Sequence, residues 1–70
     1  MLKLSERLHT LRKERKLTQE GTAKELGIAL RSYRRYETGE REPDASTLAR
    51  MADFYNVTAD YLLGRSDDRA

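Results

Sequence analysis

The chain has 70 residues, 37% hydrophobic and 37% charged, with a formal net charge of +2, one histidine and no cysteine. A domain near this size buries only ~60% of the surface its unfolded chain exposes, and the composition removes disulfide frameworks, cysteine-based zinc sites and cysteine nucleophiles together. No apolar run approaches the ~18 residues of a membrane helix and the first residues lack signal-peptide anatomy, leaving a soluble cytosolic binding domain without cofactor or metal.

Leu4, Leu8 and Leu11 recur at i, i+4 and i+7 and predict a first helix to about Arg15. Leu17 reads as a linker and Thr18 as an N-cap, opening a second helix over 19–26 with Ala23 and Leu26 inward and Gly27 as its stop. A third helix spans roughly 29–37, burying Tyr33 and Tyr36 and ending before Gly39. Residues 38–44 form a polar loop with the only proline, Pro43. Asp44 caps a fourth helix over 45–55, with Leu48, Met51, Ala52 and Tyr55 on one face. Thr58 caps a fifth over 59–63, where Val57 and Leu62 stand at hydrophobic-staple positions. Residues 65–70 have nothing to bury and read as a frayed polar tail, or the stub of a linker, after a domain over 1–64. Disorder needs high net charge with low hydrophobicity, and +2 with helical periodicity argues for a fold. The expected class is all-α, with five short helices.

Charge is unevenly placed. Residues 1–41 hold 11 Lys and Arg against 6 Asp and Glu, a net +5, and residues 42–70 hold 3 against 6, a net −3. The first part suits a polyanion and the second does not. Within the first part, residues 18–37 read as a helix, a tight turn at Gly27 and a second helix crossing the first, with Ala23 small where the two approach. A helix-turn-helix of this kind places its second helix in a DNA major groove. At 100° per residue, Leu30, Arg31, Arg34 and Arg35 share one side of that helix, opposite Tyr33 and Tyr36. Arginine bonds bidentately to guanine O6 and N7, and a leucine can touch a thymine methyl.

The chain resembles the phage-repressor-like (Cro/cI-type, XRE) helix-turn-helix proteins. The resemblance rests on Leu11-Arg-Lys-Glu-Arg-Lys-Leu-Thr-Gln-Glu20, Ala23-Lys-Glu-Leu-Gly-Ile28, Arg35-Tyr-Glu-Thr-Gly39, Pro43 and Val57-Thr-Ala-Asp-Tyr-Leu-Leu-Gly64. It implies a five-helix lambda-repressor-like domain, a repressor binding double-stranded operator DNA as a dimer. Position by position, it implies that Gln19 anchors a phosphate, that Leu30, Arg31 and Arg35 face base edges, and that Ser32 and Arg41 lie near the DNA backbone. Arg34, flanking the reading face, is expected on phosphate with them. Arg12 and Glu37 match an internal ion pair joining the first helix to the end of the third. One recognition helix reads few base pairs, so two copies are expected on a palindromic operator. Asn56, Ala59 and Tyr61 are the expected contact, in the less basic part and near where relatives dimerise.

Several positions depart from the family. Gly21 stands where relatives carry Glu, so the Thr18 cap lacks its reciprocal partner. Thr22 replaces a buried leucine and Tyr33 a valine or isoleucine, the larger ring being expected to fill the space Thr22 leaves. Ala29 replaces a capping Ser or Thr, and Glu40 and Glu42 place acid in a loop relatives make basic. This last feature favours an alternative, a protein-interaction module of the same fold that is antitoxin-like or binds a protein antagonist. No Ser–His–Asp order, paired-carboxylate cleft or phosphate-cradling glycine loop is present, and His9 reads as a surface residue, so no enzyme is expected.

Overall fold

Capping chemistry sets the helix boundaries. The computed structural model describes residues 3–70, and among them the elements are α1 (Leu4–Glu14), α2 (Gln19–Leu26), α3 (Leu30–Thr38), α4 (Ala45–Tyr55) and α5 (Ala59–Leu63), with no strand. Thr18 Oγ1 accepts from Gly21 N at 2.9 Å, Asp44 Oδ1 from Thr47 N at 2.8 Å and Thr58 Oγ1 from Tyr61 N at 3.0 Å. Each satisfies a backbone donor that has no partner within its helix. These are the three helices whose limits the sequence predicts to the residue. Ala29 offers no side-chain cap, and α3 starts and stops one residue later than expected. α1 ends at Glu14 rather than Arg15, and Lys16 behind it takes a left-handed φ of 57°.

The core is one cluster drawn from all five helices. Leu4, Leu8, Leu11, Ala23, Leu26, Tyr33, Tyr36, Met51, Ala52, Tyr55, Tyr61 and Leu62 are buried, and Leu48, expected among them, is only half-buried against their edge. α3 packs on α1 and α2, α4 on α2 and α5, and α5 on α1, so the recognition segment is held from beneath by the first helix. Truncating a fully buried residue such as Leu8 to alanine in a core this small costs about 2–5 kcal/mol. Thr22 and Tyr33 are both completely buried, and the Tyr33 hydroxyl meets that of Tyr55 at 3.3 Å, whereas Thr22 Oγ1 has no hydrogen-bond partner among the described residues.

The expectation of a frayed tail does not hold. Arg7 Nη1 donates to the Ser66 carbonyl at 2.6 Å and Nη2 to Asp67 at 2.7 Å. Arg69 forks onto both carboxylate oxygens of Glu14 at 2.8 Å, and its carbonyl accepts from Thr58 N at 3.0 Å. Polar residues with nothing apolar to bury still dock when arginines and free backbone donors lie within reach. No helix of the described residues is long and apolar enough to cross a membrane.

Candidate nucleic-acid interface

The turn between α2 and α3 is closed by backbone bonds from Gly27 N to Lys24 O at 3.1 Å and from Ile28 N to Ala23 O at 3.0 Å. They require a left-handed residue at position 27, where Gly27 has φ 71°. From α4, Arg50 Nη1 donates to the Leu26 carbonyl at 2.9 Å, which pins the turn from its far side. The sequence reading did not identify that contact, because nothing in local periodicity ties Arg50 to a carbonyl 24 residues away.

On α3 the expected division of faces is present. Tyr33 and Tyr36 are buried, and Arg31, Arg34 and Arg35 are exposed. Leu30 is half-buried and packs against the core, so only part of its side chain remains for a thymine methyl. Ser32 is half-buried as well. Beyond the helix, the Arg35 carbonyl accepts from Glu40 N at 3.0 Å, Arg41 N at 3.4 Å and Thr38 Oγ1 at 3.1 Å. This folds the loop back and keeps the exposed Arg41 close to Arg35. A Glu40 carboxylate oxygen lies 3.1 Å from the Thr38 hydroxyl, whose single hydrogen it shares with the Arg35 carbonyl.

Beneath the arginine face lies an ion pair. Arg12 donates Nε to Glu37 Oε2 at 2.7 Å, Nη2 to Oε1 at 3.2 Å, and Nη1 to the Leu17 carbonyl at 2.8 Å. The two side chains are 10% and 5% exposed, and they join α1, its linker and the end of α3. The bond to Glu37, outweighing burial, raises the Arg12 guanidinium above its ordinary value. Burial pushes the Glu37 carboxyl up, but hydrogen bonding to Arg12, then Tyr33 and Gln19, with the Arg12 charge, more than offsets it and holds it below the usual glutamate value. Gln19, expected on a phosphate, is half-buried and donates Nε2 to Glu37 Oε1 at 3.1 Å, and its Oε1 accepts from Arg34 Nε at 3.4 Å.

The three residues expected at a dimer contact differ in availability. Asn56 is exposed at the left-handed end of α4, and Ala59 is half-buried. Tyr61, expected as exposed contact area, is buried at 8% exposure. The Arg7 guanidinium covers its ring at 4.0 Å from the centroid and that of Arg69 at 5.3 Å. The sequence shows an amphipathic tyrosine, but not the arginines from α1 and the tail that cover it.

A family model described as helix-turn-helix matches residues 8–62. Among curated proteins, the chain is 46% identical over 66 residues to the uncharacterized HTH-type transcriptional regulator YqaE of Bacillus subtilis (strain 168), covering 93% of this chain and 57% of that protein. It is 42% identical over 64 residues to the cryptic phage CTXphi transcriptional repressor RstR of Vibrio cholerae serotype O1, covering 91% of this chain and 57% of that one. It is also 41% identical over 56 residues to the uncharacterized HTH-type transcriptional regulator YazB of Bacillus subtilis (strain 168), covering 80% and 81%. The chain thus spans little more than half the length of the first two relatives.

Proposed function

This chain belongs to the XRE-type helix-turn-helix family, and from that premise we propose that it is a sequence-specific DNA-binding transcriptional regulator, a small bacterial or phage repressor acting in the cytoplasm. The observation that carries this reading is the exposed Arg31, Arg34 and Arg35 face of α3, mounted on a turn fixed from both sides. In the proposed complex α3 enters the major groove, with Arg31 and Arg35 on base edges and Leu30 contributing its uncovered part. Arg34 and Arg41 flank that face and neutralise phosphate, Ser32 donates its hydroxyl to the DNA backbone, and Gln19 lies at the edge. Two copies bind about a two-fold axis with recognition helices about 34 Å apart. Asn56 and Ala59 are the proposed contact, and Tyr61 supports it from beneath. Selecting bound sites from random duplex DNA tests this directly, with an enriched palindrome of half-sites about 10 base pairs apart as the expected result.

A second reading, a module that docks a protein antagonist or toxin partner, is favoured by one observation. Glu40 and Glu42 are both exposed beside Arg41. Retention on heparin or random DNA at low salt separates the two readings, since phosphate-driven binding is lost steeply as salt rises.

A further inference from the structure

The amide of Gln19 lies between a buried carboxylate and an exposed guanidinium, and its two ends are not interchangeable. An ionised carboxylate only accepts hydrogen bonds and a guanidinium only donates them. Facing Glu37 with nitrogen and Arg34 with oxygen satisfies both, whereas the flipped amide would set oxygen against carboxylate and nitrogen against guanidinium. Arg12, which donates to both oxygens of Glu37, keeps that carboxylate charged and in place. The chain of bonds therefore runs Arg12, Glu37, Gln19, Arg34, from the interior of the domain to its basic face.

We infer that Gln19 is a positioning residue for Arg34, and that Arg12 and Glu37, though they touch no DNA, fix the orientation of its amide. The inference rests on the DNA-binding reading and assigns a specific part within it. Holding Arg34 by Nε leaves its four Nη hydrogens free as a fork for a phosphate or a base edge. A long side chain aligned before binding loses less rotamer freedom on the DNA, so its contact is stronger. Arg31 and Arg35 make no side-chain hydrogen bond among the described residues, which makes Arg34 the one pre-set arginine of the face. Gln19 then acts chiefly through Arg34 and only secondarily by its own remaining amide hydrogen.

Two measurements test this. In the free protein, 15N relaxation of the Arg34 Nε–H is expected to show restricted motion in the parent chain and faster motion in Gln19→Ala. A fully mobile Nε–H in the parent chain overturns the inference without any variant. On one duplex at fixed salt, a double-mutant cycle between Gln19→Ala and Arg34→Ala is expected to be strongly coupled. Gln19→Ala should weaken binding about threefold to tenfold when Arg34 is present, and less than about twofold when it is absent. Additive losses in a protein that binds DNA overturn the positioning role alone. Failure to bind any duplex overturns the DNA-binding reading and this inference with it.

Discussion

At the corner where α1, α5 and the tail meet, arginines are spent on the protein itself, whereas on α3 they are left to the solvent. Arg7 donates to the Tyr61 and Ser66 carbonyls and to Asp67 while covering the Tyr61 ring. Away from that corner, the exposed Arg15 gives a single donor to the Phe54 carbonyl of α4 at 2.7 Å and lies near the Phe54 and Tyr55 rings. Arg69 is forked onto Glu14. The Arg31 and Arg35 side chains, by contrast, make no hydrogen bond or ion pair among the described residues, and Arg34 gives up only its Nε–H. A guanidinium whose donors are occupied cannot also neutralise a phosphate. The net +5 of residues 1–41 therefore does not by itself locate the face open to a polyanion, because Arg7 and Arg12 are counted together with the free arginines. What marks a binding face is unspent donors, and net charge alone does not reveal them.

Substitutions sharpen that contrast, beginning with the most deeply committed arginine. Arg12→Ala leaves Glu37 buried and unpaired and is expected to cost about 3–5 kcal/mol. A 70-residue domain holds only about 4–10 kcal/mol in all, so urea unfolding should show most of the stability gone. On the unspent face the effects move to binding. Arg31→Ala or Arg35→Ala should lower affinity for a selected site by about 1–3 kcal/mol and relax one base preference, with stability changed by no more than about 0.5 kcal/mol. Arg41→Ala should weaken all sequences alike and lower the salt slope by about one.

Arg7→Ala is the mirror image. It should lower stability by about 1–2 kcal/mol through its lost charge-assisted bonds, leaving random-duplex affinity unchanged within about twofold. A loss of DNA affinity as large as that of Arg35→Ala would break the comparison. The smallest effect is at the α4 cap. Bonds from Thr47 hold the Asp44 carboxyl below its ordinary value. Its contribution is therefore fully present above the usual aspartate pKa and is lost as pH falls through the lower folded value. Asp44→Asn retains an accepting oxygen without the titration, so its melting temperature should fall less steeply below about pH 4 than that of the parent chain.

The parts of this molecule legible in the sequence are those decided locally. Thr18, Asp44 and Thr58 cap by their own hydroxyl or carboxylate, and Gly27 and Gly64 stop the helices they follow. α2, α4 and α5 therefore lie where predicted, while uncapped α3 slid by one residue. The arginine face of α3 follows from helical angle alone. The destinations of long side chains do not. Gln19 turns toward Glu37, Tyr61 disappears beneath Arg7 and Arg69, and the tail docks on α1, each through a partner 8 to 60 residues away. Flexible side chains choose such partners only once the helices have assembled, and a hydrophobic pattern holds no record of the choice.

The positive φ of Gly64 ends α5 directly against Lys3, so closely that a β-carbon there would come within 3.0 Å of the Lys3 Cβ. The start of α1 and the end of α5 are thus neighbours, brought together by the packing of those two helices. Topologically the domain is nearly a closed ring whose seam lies away from its reading element. A short linker from the end of α5 to the start of α1 should permit circular permutation of the five-helix unit, with new ends opened in the loop before α4.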